Sequence, residues 1–289
     1  MKKIIVLAVI AGFIVTACNI VKKKNVDYQK LAQETSSSQK LYDDLFKVLD
    51  EEAKSGDYSD TLNGKTVLVR KAVSDTCAIV TLDITGGFPM TLTVDFGTGC
   101  TAYNTGNLGT VTRKGIVQAV FSGRYDQAGT TVTITTNNYY VNDYKLEGTT
   151  VITNLGRNSS NNLEFSVENN NGEITSPGGD VTTWQSERLH EWIAGEGTNF
   201  VSNGLSGICD DVYLISGYAE GEISDGTTYR IQTEQDLRKE ICCRWVTDGV
   251  LTYFVNGDEL GTLDYTQTTC SNPSANFNYG NQTFVVVIQ

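Results

Sequence analysis

The single histidine of the chain limits the acid–base chemistry that the sequence can support. His190 is the only histidine among 289 residues, so any Ser–His–acid or Cys–His arrangement has to include it. Its neighbours, residues 186–192, lack the strand–turn–helix elbow that exposes a nucleophilic serine. Ala194 stands where an HExxH zinc helix has its second histidine. The sequence therefore predicts no catalytic residue, no metal site and no cofactor.

Two tryptophans and an arginine accompany this histidine at alternating positions. If residues 180–193 form a strand, alternate side chains share one face. That face then carries Trp184, Arg188, His190 and Trp192. Such a set can form a platform on which a sugar ring stacks, although the same pattern is typical of the part-buried face of an ordinary strand. A carbohydrate-directed binding module or hydrolase at this strand is therefore one alternative function.

The N-terminal residues predict export and a lipid anchor. Two lysines precede residues 4–15, an apolar stretch of signal-peptide length that is too short to span a bilayer comfortably. The stretch ends in Val15-Thr16-Ala17-Cys18, which resembles the lipobox of bacterial lipoproteins. That resemblance implies removal of residues 1–17 as a signal peptide and acylation of Cys18. Because more than one acyl chain is attached in this family, Cys18 would be a firm membrane anchor.

The residues after the anchor and the overall charge indicate where the protein lies and what it binds. Asn19 occupies the position at which lipoproteins often carry an aspartate for inner-membrane retention, so the resemblance implies the outer membrane, on its periplasmic or its surface side. Residues Lys22–Lys24 can contact anionic headgroups. The net charge of −12 argues against a nucleic-acid partner, because the phosphate backbone requires a basic face. The expected partners are the membrane, through Cys18, and a glycan or another envelope protein.

The other cysteines predict disulfides. Six remain besides Cys18, and an even number in an exported protein is typical of disulfide bonding. They are Cys77, Cys100, Cys209, Cys242, Cys243 and Cys270. A zinc site requires cysteines or histidines paired at short spacing, which two adjacent cysteines and a lone histidine do not provide.

Turn signals restrict how these cysteines pair. Asn256-Gly257 is a typical two-residue hairpin turn, and it would set Cys243 opposite Cys270. A turn near Gly87 would bring Cys77 close to Cys100, which leaves Cys209 and Cys242 as a third pair. A bulge of one residue would exchange Cys242 for Cys243. The two hairpins share a layout, which suggests either a diverged repeat at the two ends of the domain or a chance similarity.

One amphipathic helix precedes the strands. Leucine and valine recur at i, i+4, i+7 and i+8 from Leu41, with acidic residues between them. The serines at 36–38 offer an N-cap and Gly56 offers a stop. This pattern predicts a flexible tether over residues 18–37 and a short helix over residues 38–56 that packs on the sheet.

Residues 60–289 have the pattern of an antiparallel β domain. Residues 91–96 and 131–135 alternate between apolar and polar side chains, and the 28 glycines and three prolines fit many short strands and turns. Strands joined by short Gly/Asn turns favour a meander. We therefore predict an all-β fold, in which an antiparallel meander forms a sandwich or a curved open sheet.

The length and hydropathy of individual runs refine this prediction. The runs 109–122, 139–155 and 180–196 are long, so we expect bends or bulges at glycines such as Gly115 and Gly148. The run 283–288 is almost continuously apolar, which predicts a central or doubly covered strand.

Taken together, the lipobox, the helix and the Gly/Thr/Asn-rich strands resemble the β-rich lipoproteins of Gram-negative envelopes, and this resemblance implies no activity. Our first hypothesis is a non-enzymatic, lipid-anchored β domain that binds or scaffolds a component of the envelope. The carbohydrate-directed module at Trp184–Trp192 is one alternative. A carrier of lipophilic molecules is the other, if the long strands curl into an open trough.

Overall fold

The structure is a computed structural model, and it describes residues 26–55, 67–71, 77–103, 110–198, 203 and 206–288. The predicted signal peptide, Cys18, Lys22–Lys24 and Gly56 lie outside these residues. Within them, a long helix α1 (Tyr28–Ser55) precedes fifteen strands, and a helical turn α2 (Ser206–Cys209) lies between the ninth and tenth strands. The all-β class with one N-terminal helix is thus confirmed.

The strands form one antiparallel sheet in which neighbours in sequence are neighbours in space. They are β1 (Val67–Lys71), β2 (Ile79–Asp83), β3 (Met90–Asp95), β4 (Cys100–Tyr103), β5 (Thr110–Phe121), β6 (Thr131–Val141), β7 (Tyr144–Arg157), β8 (Leu163–Thr175), β9 (Val181–Ala194), β10 (Val212–Glu222), β11 (Thr228–Glu240), β12 (Asp248–Val255), β13 (Asp258–Asp264), β14 (Ser274–Tyr279) and β15 (Gln282–Val287). Fourteen of them follow one continuous order, and β4 pairs with β5 beside that path. Among the described residues the sheet is open, with β1 and β15 as its edges.

The sheet curves around α1. Strands that are far apart in the sheet contact this one helix: some pack on its ends and others on its middle. The contacts include Arg113 of β5 with Asp44, Tyr42 with the carbonyl of Glu147 in β7, Phe46 with Tyr213 of β10, Thr35 with Tyr253 of β12, and Tyr28 with Tyr279 of β14. Along β9, residues facing α1 are buried and alternate residues are largely exposed. The curved open sheet, and not the sandwich, is therefore the architecture.

The helix begins ten residues before the predicted position, so residues 28–37 are helical and are not a tether. Asp27 is the N-cap, because its Oδ1 accepts a hydrogen bond from the backbone N–H of Lys30 at 3.0 Å. The serine-rich run lies inside the helix: Thr35 and Ser38 donate their hydroxyls to carbonyls one turn earlier, at 2.8 Å each. The sheet then covers this polar segment, which an amphipathic pattern alone does not predict.

The long strands contain the predicted irregularities. The pairing of β5 with β6 shifts between Lys114 and Ile116, and that of β7 with β8 shifts between Glu147 and Thr149, so bulges at Gly115 and Gly148 are confirmed. The run 139–155 is not one strand. A tight turn at Asn142-Asp143, where both residues have positive φ, divides it between β6 and β7.

The closing apolar run is an edge strand and not a central one, so that prediction was wrong. Among the described strands, β15 pairs only with β14. Val286 and Ile288 are buried on the inner face, whereas Val285 and Val287 are 62% and 46% exposed on the outer face. A continuous apolar run does not distinguish a strand covered on both faces from an edge strand with an apolar outer face.

All three predicted disulfides are confirmed: Cys77–Cys100, Cys209–Cys242 and Cys243–Cys270. The register argument for the third pair was only partly right. The hairpin turns at Asn256-Gly257, but a bulge at Leu260 shifts its pairing by one residue. Both cysteines lie beyond the ends of β12 and β13, so the connecting segments bring them together, with Cα atoms 5.0 Å apart. Among the described residues, no helix has the length and apolar character needed to cross a membrane.

Candidate functional site

The predicted stripe on β9 lies inside the molecule. Trp184, Arg188, His190 and Trp192 do share one face, and each is less than a tenth exposed because α1 covers that face. The Tyr42 ring stacks on Trp184 with centroids 6.1 Å apart, and Phe46 lies 4.7 Å from the His190 ring. These side chains therefore form part of the helix–sheet interface and do not present a platform to a sugar in solution.

A small internal cavity adjoins this stripe. Its volume is about 20 Å³, and Asp43 and Gln39 of α1 line it opposite Arg188 and His190. None of the guanidinium nitrogens of Arg188 has a hydrogen-bond acceptor among the described residues. A polar cavity of this size can hold one water molecule, so we expect Arg188 to be hydrated there. Burial, together with the nearby Arg188 charge, lowers the pKa of His190 to about 3, so this histidine is neutral at physiological pH.

A second cavity opens to the surface beside α1. Its volume is about 50 Å³. Its wall is formed by Ser37, Lys40, Leu41, Asp43, Asp44 and Lys47 of α1, by Val111, Val141, Asn142 and Tyr144 around the start of β5 and the β6–β7 turn, and by Lys239, Ile241, Cys243 and Arg244 around the end of β11. We call it the α1 cleft. Because three strands separate β7 from β11 in the sheet, the cleft exists only where the curved sheet brings these strands together over the helix.

Cations converge on the α1 cleft. Among the described residues, no carboxylate oxygen lies within 4 Å of the Lys40 ammonium, and Lys239 donates only to the backbone carbonyl of Cys243, at 2.7 Å. Burial and the neighbouring Arg244 lower the pKa of Lys40 to about 8. Burial also lowers the pKa of Lys239 to about 8. Lys47 differs, since Glu51 pairs with it at 3.7 Å one turn away.

The acidic side chains of the cleft offset these cations only in part: Asp44 raises the pKa of Lys40 and Asp43 that of Lys239, but burial outweighs both. Asp44 accepts two hydrogen bonds from the Arg113 guanidinium, one of them at 3.0 Å. Burial alone would raise the pKa of Asp44, but Arg113 outweighs it and holds that pKa below its ordinary value. Asp43 lies between the cleft and the internal cavity, and burial raises its pKa despite the charges of Lys239 and Arg188. The cleft can therefore stabilise a ligand that carries a negative charge.

The outer surface offers a wider but shallower groove. It measures about 560 Å³ and crosses β8 to β11, with Glu173, Gln185 and Glu220 along it. The rings of Trp184 and Tyr229 lie beneath its floor, 2% and 4% exposed. A sugar could meet polar side chains in this groove but no open aromatic face.

One group of potential metal ligands occurs among the described residues. It consists of Glu240, Cys243 and Cys270. Both sulfurs belong to a disulfide, so neither is available as a thiolate ligand while that bond is intact.

Sequence reasoning did not find the cleft residues. On α1, Lys40, Asp44 and Lys47 follow the spacing of a solvated polar face. Lys239 lies nearly 200 residues away and at the end of a strand. Only the curvature of the sheet brings it to that face, and no local pattern encodes this.

Comparison with known proteins gives no match: no family model fits the chain, and neither a curated protein nor a solved structure is significantly similar to it. Function must therefore be argued from the geometry of the sites.

Proposed function

We propose that the protein is a lipid-anchored component of the bacterial outer membrane, whose β domain binds a small ligand through a carboxylate or phosphate group in the α1 cleft. The lipobox at Cys18 supports the anchor. The observation that carries the binding function is the Lys40 ammonium, which is partly buried beside Lys239 and Arg244 and has no carboxylate oxygen within 4 Å among the described residues.

Such a site has a physical reason to bind an anion. Burying an unpaired ammonium is costly, and the lowered pKa values of Lys40 and Lys239 reflect this cost. At pH 7 both lysines are still mostly protonated. An anion between them offsets the lost hydration and raises both pKa values, so its binding takes up protons near pH 8. The net charge of −12 means that the local cleft, and not the field of the whole protein, has to attract the ligand.

Binding fits the cleft better than catalysis does. Ser37 is its only aliphatic hydroxyl, and no histidine is among its lining residues. His190 lies in the separate internal cavity on the other side of Asp43. A nucleophile and a base within hydrogen-bond distance of each other are therefore not found in the described wall of the cleft.

Calorimetric titration of the purified protein with inorganic phosphate, and then with acetate, tests the proposal. We expect saturable binding at pH 7 that weakens as the pH rises through about 8, because the lysines lose their charge. Lys40→Met should weaken it about ten-fold, equivalent to about 1.4 kcal/mol. It should leave the fold intact, since it removes a buried charge that has no ion pair.

Lys145→Met is the matched control. Lys145 makes an exposed ion pair with Glu147 at 2.8 Å outside the cleft, so its removal should leave the affinity unchanged. Proton uptake measured in buffers of different ionisation enthalpy should accompany binding at pH 8 and should decrease in Lys40→Met, where Lys239 alone remains to take up a proton. Absence of saturable binding for both anions, or equal affinity in the two variants, would contradict the proposal.

The carbohydrate-directed module and the lipophile carrier remain predictions, and the structure changes where each ligand would have to bind. A glycan would have to bind the outer groove, so loss of glycan-array binding in Gln185→Ala, with the α1 cleft intact, would favour the carbohydrate alternative. A lipophile could use the concave face of the sheet only if α1 left it. Lipid that co-purifies with the protein and is detected by mass spectrometry would favour that alternative.

A further inference from the structure

The last two strands of the sheet carry no charged side chain. Residues 265–289 contain no Asp, Glu, Lys, Arg or His, although charged residues make up 19% of the chain. This segment includes both β14 and β15, which form one side of the open sheet. We call these two strands the β14–β15 corner. In a protein with 34 acidic residues, it is a surface that an anionic membrane does not repel through its own charges.

The corner also exposes apolar side chains. Val285 and Val287 project from the outer face of β15, and Val285 is the most exposed large hydrophobic residue described. Tyr279, at the end of β14, is 39% exposed. Lysines or prolines that commonly protect edge strands are absent from β15. Tyr279 lies on the opposite face from these valines, so the corner exposes apolar side chains on its outer face and an aromatic ring at its end, a combination typical of surfaces that contact a bilayer interface.

The chain enters the folded domain at this same corner. Tyr28, the first residue of α1, stacks on Tyr279 at 4.7 Å and also contacts Phe277 and Phe284. Cys18 precedes Val26 by eight residues, and eight residues span at most about 28 Å when fully extended. An acyl chain on Cys18 would therefore hold the β14–β15 corner within about that distance of the bilayer.

We propose that the β14–β15 corner is the surface with which the domain rests on the membrane, so its partner is the lipid surface itself. This inference rests on the lipid anchor of the proposed function. The anchor supplies attachment, and the corner supplies orientation: the uncharged apolar edge faces the lipid, and the acidic remainder of the domain points away from it. Lys22–Lys24 lie in the sequence between the anchor and the corner, where their charges favour the same orientation.

A tryptophan placed at the corner can report contact with lipid. The full acylated protein carrying Val285→Trp would be reconstituted into vesicles of phosphatidylethanolamine and phosphatidylglycerol, with and without brominated acyl chains. We expect the emission added by this tryptophan to shift to the blue and to fall about two-fold in brominated vesicles, because interfacial side chains lie 5–10 Å deep. Leu155→Trp is the matched control. Leu155 is 51% exposed on β7, far from β15 in the sheet order, and its tryptophan should not be quenched.

The outcomes separate this inference from the anchor on which it rests. If the wild-type protein fails to float with vesicles, the lipid anchor itself is wrong. If it floats but Val285→Trp is quenched no more than Leu155→Trp, the anchor stands and the membrane-facing corner is overturned. A blue shift that depends on protein concentration and is insensitive to bromine would show that a second copy covers β15, which also overturns the proposal.

Discussion

At the level of single residues, the interface between α1 and the sheet buries an unusual number of ionisable groups. Asp44 has a bidentate arginine partner, and its contribution to stability is present above its ordinary pKa and is lost as the pH falls. Arg188, Lys40 and Lys239 lack such a partner among the described residues. Their charges lower the stability of the protein, and an anion in the α1 cleft would offset this cost for Lys40 and Lys239.

His190 provides a test of this buried environment. Its pKa of about 3 lies below the ordinary value of 6.5. Between these two pH values His190 is therefore protonated in the unfolded chain but neutral in the folded protein. Stability is therefore full above pH 6.5 and falls as the pH drops from about 6.5 towards 3. At pH 4 this amounts to roughly 3 kcal/mol, at about 1.4 kcal/mol per pKa unit.

Urea unfolding of the wild type and of His190→Gln at pH 7 and pH 4 measures this effect. Carboxylates also titrate in this range, so the informative quantity is the difference between the two proteins. We expect the wild type to lose more stability than the variant on acidification. Equal losses in both would show that His190 is accessible to protons in the folded state.

The residue patterns predicted which cysteines pair and which side chains share a face of a strand, but not which of those faces are buried. Alternation along residues 180–193 correctly placed Trp184 and Trp192 on one face, because a strand has a period of two. This period does not indicate whether a helix or solvent covers the face. The polar side of α1 posed the same problem. Lys40 has the position of a solvated residue, yet it is partly covered by strands that lie between about 70 and 200 residues further along the chain.

At the level of elements, α1 is the core around which the sheet is built, and its first ten residues belong to that core. Leu31 and Ala32 are fully buried in a segment whose composition is typical of a linker. Serines at 36–38 look like a helix start, but the sheet supplies Tyr253 and Tyr265 as hydroxyl partners for Thr35 and Ser36. Tertiary contacts with the sheet thus stabilise these residues inside the helix, although their sequence favours a helix N-cap.

Leu31→Ala distinguishes a helical core from a tether. Removing a fully buried leucine from a packed interface should lower the free energy of unfolding by about 2–5 kcal/mol. Gln29→Ala, an exposed position in the same turn, should change it by less than about 0.5 kcal/mol. Denaturant titration of both variants measures the difference. If Leu31→Ala were as mild as Gln29→Ala, residues 28–37 would not be part of the folded core.

Elements defined by local turns were the most predictable. Asn256-Gly257 specified its hairpin because few residue pairs adopt positive φ at two successive positions, as both do here. The edge position of β15 was not predictable, because an apolar run does not indicate whether a strand pairs with one neighbouring strand or with two. The bulge at Leu260 moves the register away from the expected one, and the segments outside the ladder nevertheless bring the Cα atoms of Cys243 and Cys270 to 5.0 Å.

At the level of the whole molecule, a meander of short turns makes neighbouring strands pair, so an open or closed antiparallel sheet follows from the sequence. The curvature of that sheet and the helix that fills it are collective properties of many side chains. They determine both candidate surfaces: the α1 cleft lies where the sheet converges on the helix, and the β14–β15 corner lies where the sheet ends.

This arrangement predicts that helix and sheet unfold together. The buried apolar side chains form one cluster that joins α1 to strands from both halves of the sheet. Trp184 stacks on Tyr42 in the middle of α1, Trp192 stacks on Tyr213 of β10, and the Trp245 indole N–H donates to the carbonyl of Thr269 outside the strands. Tryptophan fluorescence and far-ultraviolet circular dichroism should therefore give the same thermal midpoint. Leu31→Ala should lower both midpoints equally, by several degrees. If the circular dichroism of the helix were lost first while tryptophan fluorescence kept its native value, α1 would be separable from the sheet, and the concave face would then be free for a lipophilic ligand.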